Sequence, residues 1–93
     1  MLPIVWLEAA DDDLARIIGH IGEIAPQAAV RLWDRISASV LLLAEHPYLH
    51  QLSDRVPGLR EIVVTANYVV LYRVTATAVE IVAVVHAAQH FPE

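Results

Sequence analysis

Apolar residues recur along this chain in two rhythms, and the change of rhythm divides it. After Pro3, the β-branched and aromatic run Ile4-Val5-Trp6-Leu7 predicts a first strand. Leu14, Ile17, Ile18, Ile21 and Ile24 then recur at three- and four-residue spacing, the stripe of an amphipathic helix. Asp11-Asp12-Asp13 just ahead of that stripe predicts an N-cap and first turn, where carboxylates meet the positive end of the helix dipole. Gly19 and Gly22 weaken this helix, each by about 1 kcal/mol relative to alanine. Pro26 ends it and belongs in the first turn of a second helix. That helix carries the stripe Ala29, Leu32, Trp33, Ile36, Val40 and Leu43 and stops before Pro47. With a short link between them, the two helices form a hairpin.

Residues 46–58 are polar, contain two prolines and predict a loop. Pro57-Gly58 fits the corners of a type II turn. Three runs rich in Val, Ile and Tyr follow, Leu59 to Val64, Tyr68 to Val74 and Val79 to Val85. Their connections are too short for anything but antiparallel neighbours. The order β-α-α-β-β-β predicts an α+β domain, the helix hairpin packed on one face of a mainly antiparallel sheet. Both phases of the strands are apolar: Val63, Val69 and Leu71 on one, Ile62, Val64, Val70 and Val74 on the other. Helices on one side leave the second face uncovered, so a partner chain is the expected cover.

Ninety-three residues, 57% apolar and 18% charged, make a single domain spanning 1–93. There is no cysteine, which excludes a disulfide framework, a thiolate nucleophile and cysteine-ligated zinc. No basic leader and no membrane-length apolar run is present, so a cytoplasmic protein without membrane attachment is expected. The net charge is -5, with six arginines, no lysine and eleven acidic residues. That balance opposes a protein that grips a long phosphate backbone, and no direct DNA binding by this chain alone is expected.

The candidate chemistry is sparse. Arg60 and Arg73 sit inside strand runs; ion pairs with Glu61 and Glu80 are one reading, an anion site the other. Tyr68 and Tyr72 share one phase of the third strand, where they pack on the helices or present their rings to a ligand. His46 and His50, like His86 and His90, are four apart, but neither pair has a placed third ligand or the glutamate of a zinc-protease helix. No metal or cofactor is expected. His86 closes the last strand as a structural histidine or an acid/base candidate. Three glycines leave no phosphate-binding loop, and no serine sits in a nucleophile elbow.

Several segments taken together carry a resemblance. They are Val5-Trp6-Leu7, Ala44-Glu45-His46-Pro47 and Arg55-Val56-Pro57-Gly58-Leu59-Arg60-Glu61-Ile62-Val63-Val64. Tyr68-Val69-Val70-Leu71-Tyr72-Arg73-Val74 and the final run Val79 to His86 complete the pattern. In order and spacing the chain resembles the ParE/RelE superfamily, the toxin halves of bacterial type II toxin–antitoxin modules. RelE-like members cut messenger RNA on the ribosome with strand-borne cations, one of them an arginine where this chain has Val69. ParE-like members lack that set and inhibit DNA gyrase by protein binding.

The resemblance therefore implies a ParE-like toxin kept harmless by a cognate antitoxin of ribbon-helix-helix type, in a toxin–antitoxin hetero-oligomer, with gyrase as target. Its expected partner-binding residues are Arg31, Arg35, Arg60, Arg73, Tyr68 and Phe91. The alternatives are a ribosome-dependent endoribonuclease using Arg60, Arg73, Tyr72 and His86, and an inactive homologue acting as a binding module. Gln89 departs from the ParE-like pattern, which commonly has arginine there.

Overall fold

In a computed structural model describing residues 1–89, the chain forms β1 (Ile4–Trp6), α1 (Glu8–Ile24), α2 (Pro26–Leu41), β2 (Arg60–Val63), β3 (Tyr68–Val74) and β4 (Val79–His86). A 3₁₀ turn, Leu42–Ala44, closes α2. Strand passes directly into helix at Leu7. Its N–H donates to the Ile81 carbonyl at 3.0 Å, and its own carbonyl accepts from the Asp11 N–H at 3.0 Å. The helix therefore starts earlier than its carboxylates suggest. Leu7 is the N-cap and provides no side-chain cap, while Glu8 and Asp11 lie in the first turn. The expected aspartate cap is replaced by a different use of Asp13, whose Oδ2 accepts the backbone N–H of Val84 at 3.1 Å.

Ala25 separates the helices with φ -146° and ψ 85°, outside the α region that a following proline disfavours, and Pro26 opens α2. Of the predicted stripes, Leu14, Ile17, Ala29, Leu32, Ile36, Val40 and Leu43 are buried. Ile24 and Trp33 are not. Ile24 ends α1 beyond the sheet and is 74% exposed, and Trp33 is 49% exposed at the margin of the α2 stripe.

The sheet order is β1-β4-β3-β2; β2, β3 and β4 are antiparallel neighbours and β1 joins β4 in parallel. Both hairpin turns are set by a threonine. Thr65 Oγ1 accepts the N–H groups of Asn67 and Tyr68, each at 3.2 Å, and Thr75 Oγ1 accepts those of Thr77 at 3.3 Å and Ala78 at 3.1 Å. The Pro57-Gly58 turn takes its predicted form: Gly58 has φ +83°, and the Leu59 N–H closes on the Val56 carbonyl at 3.3 Å.

One irregularity decides which residues meet. Leu71 pairs with Ala83 but Tyr72 pairs with Ile81, so Val82 is an extra residue in β4. Such a bulge inverts the in/out alternation beyond it. Val79 and Ile81 before the bulge, and Val84 after it, all face the helices, joined there by Ile62, Val70 and Tyr72. Ala83 and Val85 face the opposite way.

Most of that second face is covered by the chain itself, which corrects the expectation that a partner covers it, while Val63 on the outer strand stays 67% exposed. Leu59, Val69, Leu71, Ala83 and Val85 are each no more than 6% exposed, with Val56, Val82 and Ala87 packed on them. The loop before β2 is pinned across this face by Arg55. Its Nε donates to Glu61 Oε1 at 2.8 Å, and its Nη1 to the carbonyls of Ala87 at 3.0 Å and Gln89 at 3.1 Å. Ser53 Oγ donates to the same Glu61 oxygen at 2.7 Å. Local sequence has no sign of the tie to the chain end, because Arg55 meets Ala87 and Gln89 from more than thirty positions away.

Candidate partner-binding site

The residues named from the sequence fall on four separate surfaces. Arg31 and Arg35 lie one turn apart on the solvent side of α2, with no ion pair among the described residues. Arg73 is on the outer face of the sheet, its Nε on Glu80 Oε1 at 2.5 Å, the ion pair expected for it. Arg60 does not pair with Glu61, whose carboxylate is held by Arg55. Instead Arg60 crosses to the preceding loop. Its Nη1 donates to the His50 carbonyl at 2.8 Å, and its guanidinium lies 5.0 Å from the centre of the Tyr48 ring. Phe91 lies outside the described residues, as does His90.

Tyr72 sits beneath this loop with no exposed surface, and its hydroxyl donates to the Pro47 carbonyl at 3.0 Å. Burial raises the Tyr72 phenol above its ordinary value, against the opposing effects of a His50 backbone hydrogen bond and the Arg60 charge. The His50 ring stands edge-on to Tyr72 at 6.4 Å, and its burial lowers the imidazole from 6.5. Tyr68 and His86 are at the far end of β3 and pair with each other, ring centres 5.5 Å apart. Tyr68 and Tyr72 are four residue steps apart along β3, about 13 Å. Arg60 and Tyr72 are therefore neighbours, while Arg73 faces away from them and His86 is a strand length off. Val69, at the position where the resemblance puts a nuclease arginine, is 1% exposed within the covered second face.

An apolar groove lies outside the expected residues. Between β1 and α2 runs a groove of about 470 Å³ lined by Ile4, Trp6, Leu14, Trp33, Val40 and Leu41, with Asp11 and Ser37 at its polar margin. Trp33, Ser37 and Leu41 are spaced by four along α2, so they form one flank. Leu41 is 70% exposed and Trp33 49%. The groove borders β1, an outer strand of the sheet. Pro3 and Leu7 turn their backbone groups toward β4. By strand alternation those of Ile4 and Trp6 face outward. The sequence did carry a signal: the two tryptophans are the largest apolar side chains, and Trp33 stands at the edge of its stripe.

Among the described residues no three His, Asp or Glu side chains gather as a metal-binding group, and no helix is long and apolar enough to cross a membrane.

The described residues thus form a small α+β domain, a helix hairpin on one face of a four-stranded mixed sheet, with an apolar groove at the sheet's edge and its strand cations dispersed. Residues 4–91 match the family described as ParE toxin of type II toxin-antitoxin system, parDE, and the chain belongs to that family. It is 38% identical over 89 residues to Toxin RelE2 of Caulobacter vibrioides, covering 96% of this chain and 99% of that protein. A solved chain of the chromosomal ParDE TA system from P. aeruginosa has the same fold. It superposes with a TM-score of 0.79 at 21% identity, over 92% of this chain and 96% of that one.

Proposed function

We propose that this toxin works by binding a protein target, DNA gyrase, and that a cognate antitoxin neutralises it. The observation that carries the reading is the dispersal of the strand cations and of the groups a nuclease needs. Phosphoryl transfer depends on cations aimed at the charge that develops in the transition state. Arg73 is committed to Glu80 on one face and Arg60 to the His50 carbonyl on the other. Tyr72 is buried, hydrogen-bonded to Pro47 and raised in pKa, all of which oppose a role as general base. Val69 adds no charge.

The antitoxin reading draws on membership of a toxin–antitoxin family and on the groove beside β1. An amphipathic helix of the antitoxin packs on Trp33, Leu41 and Trp6, and an extended segment follows the outward backbone groups of Ile4 and Trp6. Arg31 and Arg35, on the solvent side of α2, are positioned for the acidic margin of a segment that wraps the helix.

The deciding experiment runs the purified chain in two parallel assays. One measures supercoiling by gyrase, the other the integrity of mRNA in a translation extract. Loss of supercoiling with intact mRNA is expected. Codon-positioned cleavage that disappears in Arg60→Ala or His86→Ala overturns the reading in favour of an endoribonuclease. Neither effect, together with normal growth on induction, leaves an inactive homologue that serves as a binding module.

A further inference from the structure

At the end of β3 away from Tyr72, α1 and the ends of β3 and β4 enclose a second cleft, about 350 Å³, that the reading above does not use. Arg16 and His20 reach it from α1, Tyr68 from β3, His86 from the end of β4, and Gln89 from the chain that follows. Two imidazoles, a guanidinium, a phenol and a carboxamide thus share one space, brought together from segments about fifty to seventy residues apart in sequence.

The arrangement is organised for donation. Among the described residues no carboxylate lines the cleft, and Asp13, which holds Arg16, is occupied at both oxygens. Oδ2 accepts the Val84 N–H at 3.1 Å and Oδ1 the Arg16 Nη2 at 3.0 Å. Asp13 so anchors Arg16 at the mouth of the cleft while using one of its five N–H donors. His86 Nδ1 accepts the Ala88 N–H at 3.1 Å, which leaves the proton of the neutral ring on Nε2. No hydrogen bond is made by the side chain of His20 or the Tyr68 hydroxyl among the described residues. The edge-on Tyr68–His86 pair adds an aromatic wall.

A ligand matched to several donors and one aromatic wall is an oxyanion attached to a flat ring. The cleft volume suits a molecule of nucleotide size, and a chain of net charge -5 is ill-suited to a long polyanion. We propose that this cleft binds the phosphate group of a nucleoside monophosphate, with Arg16, His20 and His86 as the donors to the phosphate and Tyr68 against the base. The role is independent of the gyrase reading and needs none of the groove residues.

Histidine ring resonances of the full chain supply the test, because His46 and His50 lie outside this cleft and act as internal controls. Adenosine monophosphate, inorganic phosphate and adenosine are titrated in turn. With the monophosphate, saturable shifts are expected at His20 and His86 but not at His46 or His50. Inorganic phosphate and adenosine are each expected to bind about tenfold or more weakly.

Arg16→Gln and His20→Asn replace exposed side chains, and unchanged His46 and His50 resonances report an intact fold. Each is expected to weaken the monophosphate by about tenfold, the effect of one charge-assisted hydrogen bond. Four outcomes overturn the proposal: equal shifts at every histidine, adenosine binding as tightly as its monophosphate, inorganic phosphate doing so, or variants that bind like the parent.

Discussion

Replacing Asp13 with alanine removes an acceptor that the sheet needs. β1 pairs with β4 only as far as Ile81, so further along β4 the backbone on that side has no strand partner. Val84 is there, 1% exposed, and its N–H finds the Asp13 carboxylate at 3.1 Å. In Asp13→Ala this buried N–H is left unsatisfied and a hydrogen bond to a charged acceptor is lost, a destabilisation of about 2–3 kcal/mol. The Arg16 ion pair lost with it contributes little, because the Arg16 side chain is 65% exposed. Such pairs contribute at most about 0.5 kcal/mol. Asp13→Asn keeps an acceptor for Val84 and forfeits only the charge, so about 1 kcal/mol is expected. Urea denaturation of the parent, both variants and Arg16→Ala measures all three terms. For a domain of this size the alanine variant's melting temperature should fall by roughly 10 °C or more. Equal losses in Asp13→Ala and Asp13→Asn would refute the reasoning, since they place the stabilisation in the charge. So would a large loss in Arg16→Ala.

Four further expectations follow from particular features. Gly58→Ala, forced to φ +83°, should cost about 1–2 kcal/mol in the same denaturation assay, and a loss near zero means that the Val56–Leu59 turn relaxes. His50 is held below its ordinary 6.5 by burial, so the unfolded chain binds the proton first; its contribution is complete above about pH 6.5 and is lost as pH falls toward the folded value. Stability measured between pH 7.5 and 5.5 should therefore drop less steeply in His50→Gln, and an unchanged slope removes His50 as a cause. Trp33→Ala and Leu41→Ala, truncating groove residues that are half exposed or more, should weaken the antitoxin complex by tenfold or more while changing toxin stability by about 1 kcal/mol or less. Raising salt from about 50 to 200 mM should weaken the same complex by less than tenfold if apolar burial dominates it. Calorimetric titration reads both effects.

Much of the fold was legible in the order of apolar residues. The helix pair, three C-terminal strands, the proline at the start of α2 and the type II turn at Pro57-Gly58 each follow from interactions within a few residues, which periodicity and turn chemistry report directly. The candidate sites were less so. Arg73–Glu80 was readable because the two residues belong to one hairpin. Arg60 is next to Glu61 in β2, so the two side chains point to opposite faces of the sheet; Arg60 reaches the loop carbonyl of His50, while Arg55 holds the Glu61 carboxylate.

The amino-acid sequence by itself determined which segments become helix and strand, the family, and the scarcity of mobile positive charge. The tertiary structure alone decided that Val82 is a bulge that reverses the facing of β4, and that Arg55 ties a loop across the second sheet face. It also decided that Asp13 serves a strand rather than its own helix, and that Arg16 and His20 meet Tyr68 and His86. The physical reason is common to all four. Each depends on satisfying a backbone group or covering an apolar face with residues distant in sequence, and no local pattern records which distant residue will do it.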